Sequence, residues 1–285
     1  MTTFAIACVQ SAAGGGDNLD LLSREVALVV RRYPWVRMIL FGELLVFGPR
    51  IDRAEPLPGP TEAHLAGLAR RYGIWLVPGS LYESADGRVY NTAPVIDPTG
   101  TVIARHRKIY PFLPYERGVQ GGARTTVFDV PGVGRFGLSI CYDMWFPETT
   151  RAMICAGAEI IVHPSLTNTL DRDLELAIAR ASAGTNQCYF LDVNSTGELG
   201  YGRSILVGPE GDVLHQAGRG PEIMPIVVDL DRVRRTRRDG LLGLGQVLKS
   251  FRDTTIDDPH HARPATSRLA DLGPLGNGTP PLAAD

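Results

Sequence analysis

Short apolar runs alternate along the chain with longer segments whose hydrophobic residues recur every three or four positions, the rhythm of strands separated by amphipathic helices. Residues 4–10 read as a strand, 19–32 as a helix and 36–41 as a second strand. A Pro-rich loop precedes a helix over 61–72, and 74–82 reads as the next strand. Segments 89–96 and 101–106 flank Asp97-Pro98-Thr99-Gly100, turn chemistry suited to an antiparallel hairpin, so the sheet is expected to be mixed. A strand over 136–141 leads into a helix from Pro147, whose fixed φ suits a first helical turn. Strand 159–163, helix 170–185 and strand 188–193 make another such round. Strands over 204–207, 213–215 and 226–229 close the series, and the Arg-rich stretch 232–238 reads as an exposed helix. From Asp257 onward Pro, Gly, Ala and polar residues take over. That shift predicts one α/β domain over 1–256 and a tail over 257–285, disordered or laid across a partner subunit.

Composition narrows the function classes. With 285 residues, 44% of them hydrophobic and 21% charged, the chain can bury a core and has the balance of a globular protein. A formal net charge of -2 leaves no footprint for a nucleic acid or an anionic membrane, and the five arginines of 232–238 read as a solvated face. Small molecules and further copies of the chain are the expected partners. The longest apolar stretch, 38–47, is broken by Glu43 and falls short of the ~20 residues of a spanning helix. Cys8, Cys141, Cys155 and Cys188 form no C-x-x-C pair and no Cys/His spacing suited to zinc. Free thiols and a first segment that reads as a strand rather than a signal peptide predict a cytoplasmic protein without a metal. The sequons at Asn194 and Asn277 then read as chance matches.

Three segments can carry chemistry. In Phe41-Gly42-Glu43-Leu44-Leu45-Val46-Phe47-Gly48 a single carboxylate interrupts an apolar run at a strand end. Burial there raises its pKa toward neutrality and makes it a general base; a solvent-facing glutamate is the plain alternative. Lys108, in Arg107-Lys108-Ile109, is one of two lysines in a chain with 27 arginines, and a compact ammonium fits where a planar guanidinium does not. One more surface cation is the alternative there. In Ser139-Ile140-Cys141-Tyr142-Asp143 a strand delivers a cysteine to a sharp turn ahead of a helix. Such a turn exposes a nucleophile and lets the following backbone N–H groups face a carbonyl oxygen. Cys8, Cys155 and Cys188 lie in predicted strands and a helix and read as buried apolar residues. Two motif matches fail on context. The G-x-G-x-x-G at 132–137 leads into a strand instead of following one, and the G-x-S-x-G-like 137–141 ends in Cys with Ser139 short of the turn.

Taken in order, these segments resemble the nitrilase superfamily of carbon-nitrogen hydrolases, whose signature is a glutamate after an early strand, a lysine after a hairpin and a cysteine at a strand-to-helix turn. The similarity extends through FAIACVQ, DPTGTVIARHRKIY, IARASAGTNQCYFLDVNSTG and GRSILVGPEGDVL. It implies a four-layer αββα sandwich with mixed sheets, paired into a dimer, and a reaction that needs no cofactor. It also implies roles: Cys141 as nucleophile, Glu43 as acid and base, and Lys108 with the Tyr142 backbone N–H as holders of the oxyanion. Glu116, in Pro114-Tyr115-Glu116-Arg117-Gly118, takes the place of a second glutamate that orients Lys108 and the substrate amide.

Tyr142-Asp143 after the nucleophile is similar to amidase-like members, whereas nitrilases carry Trp-Glu there. Met144, Trp145 and Phe146 stand where members acting on N-carbamoyl amino acids often carry arginines. The resemblance thus implies hydrolysis of a small amide to acid and ammonia through a thioester, with an uncharged or apolar acyl group near Phe47, Phe112 and Trp145. Core packing is the alternative for Trp145. Ureide or nitrile hydrolysis is the alternative reaction within the family, and acyl transfer to an acceptor other than water uses the same residues. Two rivals come from other classes: a Cys-His hydrolase with His163 as base, and a catalytically silent binding protein on the same fold.

Overall fold

The computed structural model describes residues 1–254. Alternation along the strands builds its layers. In Thr3–Gln10, Ile6 and Cys8 face one core while Ala7 and Val9 face another, and in the parallel neighbour Met38–Phe41 the same division separates Met38 and Leu40 from Ile39 and Phe41. The second set meets Leu22, Val26 and Val29 of the helix Leu19–Arg32 and Leu65, Leu68 and Ala69 of Pro60–Tyr72. The first set meets Leu138, Ile160, Val162, Leu191 and Val193 of a second sheet. That sheet turns Ile161 and Phe190 outward onto Met153 and Ile154 of the helix Pro147–Cys155 and Leu176, Ala179 and Ala183 of Arg172–Asn186. Helix, sheet, sheet, helix: the expected αββα sandwich. Each fully buried Leu, Ile or Val in these three cores contributes about 1.5–3 kcal/mol against exposure.

The first sheet runs Glu222–Asp229, Thr3–Gln10, Met38–Phe41, Trp75–Val77, Arg88–Ile96 and Leu81–Ala85, with Val102–Arg107 also paired to Arg88–Ile96. The second runs Val213–Gln216, Ile205–Val207, Tyr189–Asn194, Ile160–Ser165, Gly134–Leu138 and Thr126–Val130. Parallel pairs at both centres and antiparallel pairs at the edges make both sheets mixed, as the Asp97–Gly100 turn suggested.

Three departures from the sequence reading bear on the site. The strand expected over 74–82 is two strands, Trp75–Val77 and Leu81–Ala85, because the chain bends at Gly79. Gly79 has φ +85°, and a Cβ there would lie 1.8 Å from the carbonyl oxygen of Gly42, so only glycine lets this bend press against the residue before Glu43. The strand expected to run through Cys141 stops at Leu138, and Cys141–Trp145 is a single 3-10 turn. Thr126–Val130, whose alternation is weak, pairs across a Pro131-Gly132 turn and was not expected. The tail predicted over 257–285 and Asn277 lie outside the described residues. The basic helix, Leu230–Asp239, is not an open cationic face: Arg232 pairs with Glu210 and Asp212, Arg234 with Glu159, and Arg235 with Asp229. No helix among the described residues is long and apolar enough to cross a membrane.

Candidate active site

Strand ends from both sheets converge at one seam. Glu43 follows Met38–Phe41, Lys108 follows Val102–Arg107, and Cys141 opens the 3-10 turn after Gly134–Leu138. The Glu43 N–H donates to the Ser165 carbonyl oxygen at 3.0 Å, tying the glutamate to the end of Ile160–Ser165 in the opposite sheet. Leu44 N–H donates to Ser80 Oγ at 3.1 Å, so the Gly79 bend fixes the other side of the same turn. Cys141 has φ +45°, a left-handed conformation that a non-glycine residue holds only where its surroundings impose it. As the first residues of a 3-10 turn, Cys141 and Tyr142 have N–H groups with no acceptor inside the turn.

The four side chains that the resemblance singled out lie together. Lys108 Nζ donates to Glu43 Oε1 at 2.9 Å and to Glu116 Oε2 at 2.7 Å. Cys141 lines the same cleft as Glu43, Lys108 and Glu116, close enough for the Glu43 and Lys108 charges to act on its thiol. Phe112 N–H donates to Glu116 Oε2 at 2.7 Å. Asn91, which sequence reasoning missed, bridges both glutamates: its Nδ2 lies 2.7 Å from Glu43 Oε1 and 2.8 Å from Glu116 Oε1. All of these side chains are buried.

Burial sets the electrostatics. It pushes the Glu43 carboxyl above its ordinary range, against the pull of Lys108 and with the push of Glu116. Lys108 is held firmly protonated, because the two glutamates outweigh the cost of burying its charge. Burial and the Glu43 charge push the Cys141 thiol well above its usual value, more than Lys108 and the Leu166 N–H lower it. The resting sulfur is therefore a thiol. A thiol attacks only with a base to take its proton, and Glu43 is the carboxylate whose charge acts most strongly on it.

A second carboxylate holds two of these groups in register. Asp143 Oδ1 accepts the N–H groups of Ile109 at 2.9 Å and Tyr110 at 3.0 Å, just past Lys108. Its Oδ2 accepts from Ile140 N–H at 3.1 Å and pairs with His106 Nε2 at 3.0 Å. One buried side chain thus ties the end of the lysine hairpin to the cysteine turn. Burial raises its pKa, but His106 and the backbone donors more than reverse that and hold Asp143 below the usual carboxylate range.

The four side chains open onto a cleft enclosing about 680 Å³, counting the space open to solvent at its mouth. Tyr82, Phe112, Tyr142 and Glu175 also line it. Of the three aromatics expected around an acyl group, only Phe112 does. Phe47 instead packs against the helix-side core with the Arg53 guanidinium 4.3 Å from its ring centre. Trp145 packs against the outer core of the second sheet, behind Tyr142, whose ring contacts both it and Phe112. His163 does not line the cleft. It is buried, its Nδ1 lies 2.6 Å from Ser139 Oγ, and desolvation pushes its pKa down to about 4. A Cys-His pairing with Cys141 therefore has no geometry to rest on. Cys8 and Cys188 are buried thiols, whereas Cys155, expected to be buried, is exposed at the end of its helix. Asn194 is fully buried, its amide donating to Thr167 and Gly202 carbonyl oxygens, so in the folded chain it is closed to glycosylation.

Known proteins match this picture. A family model described as carbon-nitrogen hydrolase matches residues 6–238. Omega-amidase NIT2-B of Xenopus laevis is 32% identical over 215 residues, 67% of this chain and 77% of that protein. Deaminated glutathione amidase of Bos taurus is 31% identical over 206 residues, 65% of this chain and 62% of the relative, so the chain spans less than two thirds of that protein. Among solved structures, Saccharomyces cerevisiae Nit3 superposes with a TM-score of 0.76 at 26% identity, covering 83% of this chain and 94% of that one. An amidase of Nesterenkonia, solved as a mutant, gives 0.73 at 26% identity, covering 82% and 94%. With a match over most of its length and the fold to go with it, the chain belongs to the carbon-nitrogen hydrolase family, in the amidase-like branch of the nitrilase superfamily.

Proposed function

We propose that the chain hydrolyses a small-molecule amide to a carboxylic acid and ammonia through a thioester on Cys141. The observation that carries this is the gathering of Cys141, Glu43, Lys108 and Glu116 in one cleft, with Lys108 bonded to both carboxylates. Glu43 takes the thiol proton as the sulfur attacks the amide carbon, the C–S bond forms, and the carbonyl electron pair moves to oxygen. Lys108 and the Tyr142 N–H hold that oxyanion. Glu43 returns its proton to the nitrogen, the C–N bond breaks and ammonia leaves. Water then gives a proton to Glu43 and attacks the thioester; the C–S bond breaks and the sulfur regains its proton. Glu116 accepts from Lys108 and Phe112 and shares Asn91 with Glu43, which fixes the lysine for both steps.

Relatives support this reading. The matched curated proteins are named as amidases, and a structure of the Nesterenkonia amidase is described as showing covalent addition of the acetamide moiety of fluoroacetamide at its active-site cysteine. The site favours substrates without a carboxylate on the acyl group, since among the described residues no arginine lines the cleft. An apolar acyl group would meet Phe112 together with Leu44, Leu166 and Leu199, without Phe47 or Trp145.

The test is ammonia release over a panel of amides, ureides and nitriles, with Cys141→Ala as the blank. Turnover of amides is expected, with kcat/KM rising as pH passes through a midpoint above the ordinary carboxylate range, because Glu43 must be ionised to act as base. An active blank, or turnover of nitriles alone, contradicts the proposal.

A further inference from the structure

One asparagine reaches three of the four groups gathered in the cleft. Asn91 lies in Arg88–Ile96, opposite Tyr82 of Leu81–Ala85 on one side and beside Val102–Arg107 on the other, so pairing to both neighbours fixes its backbone. Its carbonyl oxygen accepts the Lys108 N–H at 2.8 Å. Its side chain is fully buried and does not line the cleft, so it stands behind the reacting groups. Both hydrogens of its amide go to carboxylates, one to Glu43 Oε1 at 2.7 Å and one to Glu116 Oε1 at 2.8 Å.

The carboxylate oxygens are held unequally as a result. Glu116 is held at both: Oε1 by Asn91, and Oε2 by Lys108 and the Phe112 N–H. Glu43 takes Asn91 and Lys108 on the same atom, Oε1, which fills the two lone pairs of that oxygen and leaves Oε2 for a moving proton. Two buried carboxylates that share one lysine tend to share a proton as well, since like charges held so near each other resist being ionised together. Asn91 stands between them with a hydrogen for each. Its own Oδ1, also buried, has no hydrogen-bond partner among the described residues. A buried acceptor left unpaired costs stability, so the contribution of this residue lies in its two donors and not in the packing of the strand.

Resting on the reading of Glu43 as base, we infer that Asn91 is a positioning residue for proton transfer: it keeps Glu43 and Glu116 from sharing a proton and reserves Glu43 Oε2 for the Cys141 thiol. Besides Asn91, the groups that act on the Glu43 charge are Lys108, Glu116, Cys141 and Tyr82, while Glu175 and Asp143 act one step removed, on Cys141 and Lys108. Lys108 favours the ionised Glu43 and Glu116 opposes it, so loss of the Asn91 hydrogen moves Glu43 further above its ordinary range.

Alkylation of Cys141 by iodoacetamide, followed by mass spectrometry, reads this without amide hydrolysis. The sulfur–carbon bond forms, iodide leaves with the carbon–iodine electron pair, and the thiol proton passes to Glu43, so the rate rises with pH as Glu43 ionises. In Asn91→Leu, which fills the space of the side chain without donors, the midpoint should move up by about one pH unit and the plateau rate should fall about tenfold. Asn91→Asp, which keeps the shape and adds a third carboxylate, should move the midpoint up at least as far. A purely structural role would lower the rate at every pH and leave the midpoint in place, so an unmoved or lowered midpoint in either variant overturns the inference. If neither variant unfolds cooperatively, heteronuclear NMR of the unaltered protein decides: the two protons of the Asn91 amide should shift at the alkylation midpoint, and protons that do not shift there overturn the inference. Ammonia release from amides by the unaltered protein is scored separately. Raised midpoints without it overturn the amidase reading and leave the role of Asn91 standing, and unmoved midpoints with it do the reverse.

Discussion

Replacing Lys108 with methionine lowers kcat/KM for an amide substrate by about a hundredfold to a thousandfold, the scale of losing one oxyanion donor. The loss falls mainly on kcat, because the ammonium is needed most where the carbonyl oxygen becomes charged. The same change leaves Glu43 and Glu116 buried beside each other with only Asn91 between them. Lys108 lowers the Glu43 pKa at present, so its removal moves the acid limb of the pH profile to higher pH. Lys108→Arg should not restore activity, since a planar guanidinium does not fit a space shaped for one small ammonium between two carboxylates 2.7 and 2.9 Å from it. Steady-state rates across pH check both parts. A methionine variant within a few-fold of the unaltered rate would remove the lysine from the chemistry.

Asp143→Ala is expected to destabilise the protein by about 3–5 kcal/mol, the cost of breaking a buried charged network by removing one member. It strips the acceptor from the N–H groups of Ile109, Tyr110 and Ile140 and from His106, all in the interior. The folded-state pKa of Asp143 is depressed below 3.8, so its contribution is fully present above that pH and is lost as pH falls through the folded value. Urea denaturation at neutral pH should therefore show the full deficit, and the two proteins should converge in strong acid. Activity should fall with stability, because this carboxylate joins the segment after Lys108 to the turn that presents Cys141. A variant of native stability would mean that these donors find other acceptors.

Much of the site was legible in the sequence, for reasons that its geometry explains. Glu43 stood out as one carboxylate in an apolar run, and burial raises its pKa, as the proposed base role requires. Lys108 stood out in a chain of arginines, and it fills a space between two carboxylates. Cys141 stood at the end of an apolar strand, and it holds the left-handed φ of a sharp turn. The groups that were missed owe their roles to partners distant in sequence. Asn91 is an ordinary polar residue in a strand until Glu43 and Glu116 arrive on either side. Glu175 shows the limit most clearly. Glu175 shares the buried helix face of Leu176, Ala179 and Ala183 and is 3% exposed, whereas Leu174 is 50% exposed, so hydrophobicity alone misleads at both positions. The buried Arg172 pairs with both Glu175 and Asp192, and nothing local in the sequence announces the contact with Asp192. Phe47 and Trp145 failed the other way. Both are large apolar residues close in sequence to Cys141 or Glu43, and both were claimed by the cores behind the cleft.

The proposed thioester on Cys141 is the step from which the rest of the proposed mechanism follows, and mass spectrometry after acid quench during turnover of an amide tests it most directly. The account predicts an added acyl mass on the peptide that contains Cys141, released by hydroxylamine, more abundant in Glu43→Gln if deacylation is slowed more than acylation, and absent in Cys141→Ala. An acyl mass on another residue, such as the exposed Cys155, or continued ammonia release by Cys141→Ala, would contradict it.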